Sequence, residues 1–412
     1  MSLLPFGEAL RQLLAAATPV AEIEMLPTGD AAGRVLAHTQ TSALAVPPFD
    51  NSAMDGYAVR CADVPAVGTR LPVAQRIVAG SVGHTLEPGT AARIFTGAPL
   101  PPGADAVVMQ ELCEHGERED GTKYVVINHA PRRGESVRRT GEDIRCGEEI
   151  LPAGARLTPQ QLGLAASVGI GKLPVLRRLR VALLSTGDEL VTPGSVAPAD
   201  LPPGAIYNSN RYLLRGLLQQ LGCEVGDPGT IPDRLDATRQ ALHEAAQKYD
   251  LIISSGGVSV GEEDHLRPAV MAEGELAQWK IAIKPGKPLA FGRVRGGDRL
   301  ASFIGLPGNP VASFVTFVML VRPFILKAQG VTAAPPPVLN LRADFDWPRA
   351  DARREFLRAR RNPFGGVDLF AHQGSAVLTS AAWADGLVDN PPGQAIRRGD
   401  TVSFLPFADL LY

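Results

Sequence analysis

The sequence predicts a multidomain α/β protein in four parts. A three-layer α/β domain with a mostly parallel sheet spans 179–330, and a discontinuous helical domain takes 1–44 and 140–178. A β-rich domain is inserted at 45–139, and a small β domain covers 331–412. Three observations point to this plan. From Arg180 onward strand-like and helix-like segments alternate, the pattern of a parallel sheet covered by helices on both faces. Between Ala45 and about Thr140, short apolar runs are punctuated by Gly and Pro turns. After Gly330 the run Pro335-Pro336-Pro337 marks a linker, and no long helix follows it. A chain of 412 residues also exceeds one ordinary core.

The elements follow in order. Phe6, Leu10, Leu13 and Leu14 fall at helical spacing. Strands are expected at Leu71 to Val73, Ala91 to Phe95, Ala106 to Met109 and Tyr124 to Ile127. Thr158 caps and Pro159 opens a helix that packs Leu162, Leu164 to Ala166 and Val168 and stops at Gly169. In the α/β part, Val181 to Leu184 reads as a strand, Asn210 to Leu221 and Leu235 to Lys248 as helices, and Asp250 to Ile253 as a buried strand. The segment from Pro310 to about Ala328 is apolar nearly all round and therefore a buried helix.

Three strand ends carry candidate chemistry. The first runs from Ser254 through Ser255, Gly256, Gly257 and Ser259 to Glu262, Glu263 and Asp264. In open α/β sheets, ligands sit beyond the carboxyl ends of strands, where glycine lets backbone N–H groups approach an oxyanion. The hydroxyls add donors, and the carboxylates suit a hard cation such as Mg²⁺. Acids at a helix start are the alternative reading. The second is Trp279 to Pro288, read as one strand whose alternation puts Lys280, Ala282 and Lys284 on one face. Pro285 and Pro288 stiffen the turn that presents Lys284 and Lys287. As an exposed strand-end lysine, Lys284 is expected to contribute little to packing. The third is Ile304 to Pro310, with Asn309 as N-cap and Pro310 at the first helical position.

Composition excludes several classes. A net charge of −2 offers no concentrated basic surface for nucleic acid. Arg132-Arg133, Arg138-Arg139 and Arg177-Arg178 read as solvated surface or small-anion contacts. Cys61, Cys113, Cys146 and Cys223 form neither a CxxC nor a metal pair, as expected in a reducing cytosol. No basic segment with an apolar run opens the sequence, so a cytoplasmic protein without a leader is expected. Phe303 to Val321 is uncharged, but Gly305, Pro307, Gly308, Asn309 and Pro310 make it a loop plus core helix and not a membrane span. No Walker-type GxxxxGK[ST] segment occurs.

Ser254 to Asp264, Lys284 to Pro288 and Gly305 to Pro310, in this order, resemble the molybdopterin molybdenumtransferases, the family of MoeA and the gephyrin E domain. Pro47 to Val59, Ile94 to Pro99, Gly141-Glu142-Asp143, Ser185 to Leu190, Arg353 to Phe356 and His372 to Ser375 resemble further motifs of that family. The resemblance runs from about Leu3 to Tyr412 and implies the same four-part plan. It implies insertion of molybdenum from the substrate molybdate into adenylylated molybdopterin, with Mg²⁺-dependent release of AMP. It also implies an elongated homodimer with sites shared between subunits, and contact with other proteins of molybdenum cofactor biosynthesis. Two alternatives remain: adenylylation of molybdopterin, and a non-catalytic scaffold of the gephyrin type.

Roles carried over from the resemblance are expectations. Asp55, Glu189, Asp233, Asp264 and Lys280 are the catalytic candidates, with Glu189 and Asp264 as Mg²⁺ ligands. Thr96, Arg138 and Asp143, from the insert and its return, are assigned to substrate binding. So are Ser255, Gly256, Gly257, Ser259 and Pro307 at the strand ends. Lys284, Lys287, Arg353 and Ser375 add cations and a hydroxyl for molybdate. Asp188 either caps a helix or faces the crevice, and Asp55-Gly56 is either a site or a turn. Asn208 replaces an aspartate expected there, so it carries no acid role. His372 is too solitary for a metal ligand.

Overall fold

Strand Leu251–Ser255 forms at the first of the three strand ends expected from sequence and is buried along its whole length. The computed structural model describes residues 3–256, 265–332 and 335–411. This strand lies between Arg180–Thr186 and Arg299–Leu306, parallel to both. Being covered on both faces explains its continuous apolar run. Leu183, Leu251, Ile253 and Ile304 share one core with helix Ser209–Gln220 and the long helix Pro310–Ala328. Ala182, Leu184, Ile252 and Phe303 face the other way, against Leu235–Lys248 and Leu266–Glu273. The result is a three-layer unit.

The sheet is seven-stranded and mixed. Beyond Arg299–Leu306, Pro288–Gly296 runs antiparallel to it and Gly274–Lys280 antiparallel to Pro288–Gly296. The parallel part thus carries the loops after Ser255 and Leu306, while Lys284 to Pro288 leads into the antiparallel edge. Helix Pro310–Ala328 is apolar and long enough to cross a membrane, yet 83% of its apolar window is buried inside the protein.

The discontinuous domain contains helix Pro159–Ser167, started by a capping box between Thr158 and Gln161. It also contains a three-stranded sheet of Ile23–Pro27, Lys172–Leu176 and Val35–Leu36, strands that the helical signals had hidden. Helix Phe6–Ala16 instead joins the α/β core through Ala9 and Leu13. Arg177, expected in solvent, is buried at this junction between Glu22 and Asp250, at 2.7 Å from each. Its two acids belong to different domains, which doublet counting along the sequence does not reveal.

The insert is a six-stranded sheet that includes Gly56–Val59, Ala91–Ile94, Ala106–Met109 and Lys123–Ile127. Gly56 begins a strand and is not part of a turn; a Cβ there would meet the Val108 carbonyl oxygen at 2.0 Å. Backbone cannot yield as a flexible side chain would. Gly56→Ala should therefore destabilise by about 1–3 kcal/mol, seen as a lower thermal midpoint, and an unchanged midpoint would contradict the close approach. The chain enters and leaves the insert as a pair of short strands, Asn51–Ser52 and Val137–Arg138.

The C-terminal strands close on themselves. Arg354–Arg361 pairs with both Gly366–Leu369 and Gly386–Asn390, and Thr401–Pro406 pairs with Gly386–Asn390 and with Leu339–Ala343. Leu339–Ala343 pairs in turn with Gly366–Leu369, completing a small barrel. Strand Ile283–Lys284, from the α/β part, adds in parallel to Arg354–Glu355 and stitches barrel to core.

Candidate functional site

A cleft of about 920 Å³ opens where the carboxyl ends of the parallel strands meet the barrel. Glu189 follows Arg180–Thr186, Asp233 follows Thr230–Ile231, and Ser255 and Gly256 end Leu251–Ser255. Pro307 and Asn309 follow Arg299–Leu306, Lys284 and Lys287 rise from the next turn, and Arg353 and Ser375 arrive from the barrel. Nine of the sequence candidates thus line one cavity: Glu189, Asp233, Ser255, Gly256, Lys284, Lys287, Pro307, Arg353 and Ser375.

The others lie elsewhere. Asp55 and Thr96 sit in the insert, where Asp55 Oδ1 accepts from the Thr96 N–H at 2.8 Å and from its hydroxyl at 2.9 Å. These bonds, the backbone one foremost, hold the Asp55 carboxyl below its ordinary range. Arg138 and Asp143 are exposed on the returning segment. Gly257, Ser259 and Asp264 lie outside the described residues, as do Glu262 and Glu263. Lys280 is not among the residues lining the cleft. The reason corrects the one-strand reading: Gly274–Lys280 ends at Lys280, and the chain changes sheets before Ile283–Lys284. Alternation of faces therefore does not relate the two lysines.

Lys284 is built into the domain junction. Its Nζ lies 2.9 Å from Glu355 Oε1 and 3.3 Å from Asp351 Oδ2. Glu355 is fully buried, and its other oxygen accepts from Trp347 Nε1 at 2.8 Å and Asn390 Nδ2 at 3.2 Å. Burial pulls the Lys284 ammonium down, but the Glu355 hydrogen bond and charge, with Asp351, outweigh it and hold the group above the usual lysine value. Arg353 clasps Asp351 with Nε and Nη2, each at 2.9 Å. That clasp, against burial and helped by the Arg353 N–H and Lys284, holds the Asp351 carboxyl far below its ordinary range. Gly286 lets the turn seat here: at φ 110°, a Cβ would meet Thr316 Oγ1 at 2.2 Å.

The third strand end departs from expectation in detail. Asn309 holds the N-cap position, but its side chain donates to Ser375 Oγ at 3.1 Å and leaves the helix uncapped. The Ser375 carbonyl accepts from Val311 N–H at 2.9 Å and Ala312 N–H at 3.3 Å instead. A residue of the barrel thus satisfies the helix start. Asp188 caps no helix; its Oδ1 accepts from the Asp233 N–H at 3.3 Å and ties two strand-end loops together. Asn208 caps helix Ser209–Gln220 through the Arg211 N–H.

Family profiles cover most of the chain. The MoeA N-terminal region, domains I and II, matches residues 4–169. A probable molybdopterin binding domain matches 182–327, and the MoeA C-terminal region, domain IV, matches 340–407. The molybdopterin molybdenumtransferase of Haemophilus influenzae is 40% identical over 398 residues, covering 95% of each chain. The chain belongs to the molybdopterin molybdenumtransferase family. Molybdopterin molybdenumtransferase 2 of Mycobacterium tuberculosis is 38% identical over 380 residues, 89% of this chain and 90% of that one. Among solved structures, a molybdopterin biosynthesis MoeA protein of Pyrococcus horikoshii superposes with a TM-score of 0.84 at 28% identity, covering 98% of this chain and 100% of that one. A second MoeA structure from that organism gives 0.78 at 31% identity, covering 98% of this chain and 99% of that one.

In this family member, the structure gives roles to several residues at or behind the cleft that were not site candidates. Asn210 Nδ2 donates to Ser255 Oγ and to the Gly308 carbonyl, both at 2.7 Å, and so fixes two motif loops. Its sequence signal was a buried polar residue at a helix start. Asp351 and Glu355 hold Arg353 and Lys284; Glu355 lies in the stretch Arg353 to Phe356 that resembles a family motif, whereas Asp351 stood outside every motif. Gln373 and Gly374 complete the barrel wall.

Proposed function

We propose that this chain is a cytoplasmic molybdopterin molybdenumtransferase that inserts molybdenum from molybdate into adenylylated molybdopterin, with Mg²⁺-dependent release of AMP. Family membership makes it a transferase of molybdenum cofactor biosynthesis. The observation that carries the reading is the cleft itself. It sets Lys284, Lys287 and Arg353 along the side formed with the barrel and Glu189 and Asp233 at strand ends of the α/β side. A small dianion suits the cations and the Ser375 hydroxyl. Water adds to the phosphoanhydride, the P–O bond to the adenylate breaks, and AMP leaves.

Mg²⁺ usually binds through one or two carboxylates together with substrate phosphates. Among the described residues no group of three or more His, Cys, Asp or Glu side chains is placed to hold a metal ion. Glu189, with Asp264 from outside the described residues, suits binding through one or two carboxylates. When bound, the ion offsets charge on the phosphates. Asp233 and Glu189 orient the attacking water, while Ser255 and the Gly256 backbone hold the phosphate side. Arg353 and Ser375 also favour this reading over adenylylation, because both come from the barrel and serve an α/β cleft.

Asp55 and Thr96 line no part of this cleft. Their role in catalysis therefore calls for a second chain, and we assign the protein to a homodimer with shared sites. The decisive experiment incubates the protein with adenylylated molybdopterin. AMP release should be stimulated by molybdate and abolished by a chelator; equal rates with and without chelator would remove Mg²⁺ from the reaction.

A further inference from the structure

Arg358, on strand Arg354–Arg361, is fully buried. Its guanidinium bonds only to neutral oxygens: Ser380 Oγ at 3.1 Å from Nε, the Phe356 carbonyl at 3.0 Å from Nη1, and the Gly374 carbonyl at 3.3 Å from Nη2. No carboxylate pairs with it among the described residues. Burial pushes the guanidinium down to about 10, which still leaves it charged at neutral pH. An unpaired buried charge is costly, and an apolar side chain of similar size would avoid that cost.

The charge sits directly behind the cleft wall. Gln373 clasps the Arg358 main chain, its Oε1 accepting from the Arg358 N–H and its Nε2 donating to the Arg358 carbonyl, both at 2.9 Å. Gln373, Gly374 and Ser375 line the cleft, and Ser375 reaches on to the helix start. In front of this wall, Lys284 and Arg353 are paired with Glu355 and Asp351, so two cations and two carboxylates cancel. Those pairs leave Lys287 to carry the positive charge at the cleft surface. Arg358 adds a second cation nearby that no carboxylate offsets among the described residues.

We propose that Arg358 is a positioning residue for oxyanion binding, which holds the Gln373–Ser375 wall from behind and lends it the positive charge its paired neighbours lack. This rests on the reading of the cleft as the molybdate site. Because the fixed charge is shielded from solvent, it is screened less by salt than a surface lysine would be.

The test uses the intact protein, with molybdate and adenylylated molybdopterin titrated separately by calorimetry and thermal unfolding run alongside. Wild-type protein should bind molybdate; if it does not, the reading of the cleft itself fails, and this inference with it. Given that binding, Arg358→Met should weaken molybdate about tenfold and leave the molybdopterin substrate unchanged, with Arg358→Lys falling between. Molybdate affinity within about twofold of wild type in Arg358→Met would overturn the proposal. So would equal weakening of both ligands together with a lower unfolding midpoint, the mark of a purely structural arginine. Should Arg358→Met fail to fold, Arg358→Lys decides: selective loss of molybdate affinity supports the role, and no loss removes it.

Discussion

Replacing Lys284 with alanine should weaken molybdate binding by about 1.5–3 kcal/mol, the range for hydrogen bonds to charged groups, and should also lower the unfolding midpoint. The second effect is absent from the sequence reading, where an exposed strand-end lysine contributes little to packing. The structure gives Lys284 a buried partner. Without the ammonium, Glu355 Oε1 loses the bond at 2.9 Å, while Trp347 and Asn390 remain on Oε2 alone. An orphaned buried acceptor costs about 1–3 kcal/mol. Adding Glu355→Gln to Lys284→Ala should therefore restore much of the stability while molybdate affinity stays low. Unchanged calorimetric affinity in Lys284→Ala would take this lysine out of the site, and an unchanged midpoint would show that Glu355 does not depend on it.

Mixing chains that carry Asp55→Ala with chains that carry Lys284→Ala should restore activity that neither has alone. In a shared-site homodimer, each heterodimer contains one doubly damaged site and one intact site. With random pairing about one quarter of all sites recover, as two-fold symmetry requires. The measurement is AMP release before and after demonstrated subunit exchange. Activity no higher than that of the two variants apart would place both residues in one chain's site and reject the shared arrangement.

What the sequence made legible is local. Ser254 to Gly256 and Gly305 to Pro310 could be read as strand ends because glycine, proline and hydroxyl residues act within a few positions of themselves. Alternating strands and helices after Arg180 likewise predicted the layered core. The antiparallel edge did not declare itself, since strands Gly274–Lys280 and Pro288–Gly296 look alike in either direction. Trp279 to Lys284 was misread for a related reason: alternation persists across a change of sheet, and the partner of Lys284 stands 71 residues away. The same distance problem hid the Ser375 carbonyl as the cap of helix Pro310–Ala328, although Asn309-Pro310 correctly marked where that helix starts. Charges were least legible of all. Arg177, Asp351 and Glu355 acquire their meaning from partners in other strands or domains.

The closure of the barrel has a consequence for how the protein is made. Its sealing strand, Thr401–Pro406, pairs with two others and emerges during synthesis after every residue that lines the cleft. Domains generally fold as they leave the ribosome, the earlier ones first. The α/β layers can therefore settle while the wall bearing Arg353 and Ser375 is still unformed. A nascent chain passes through a stage with the strand-end loops in place and no barrel wall, so the two sides of the cleft come together only once the barrel shuts.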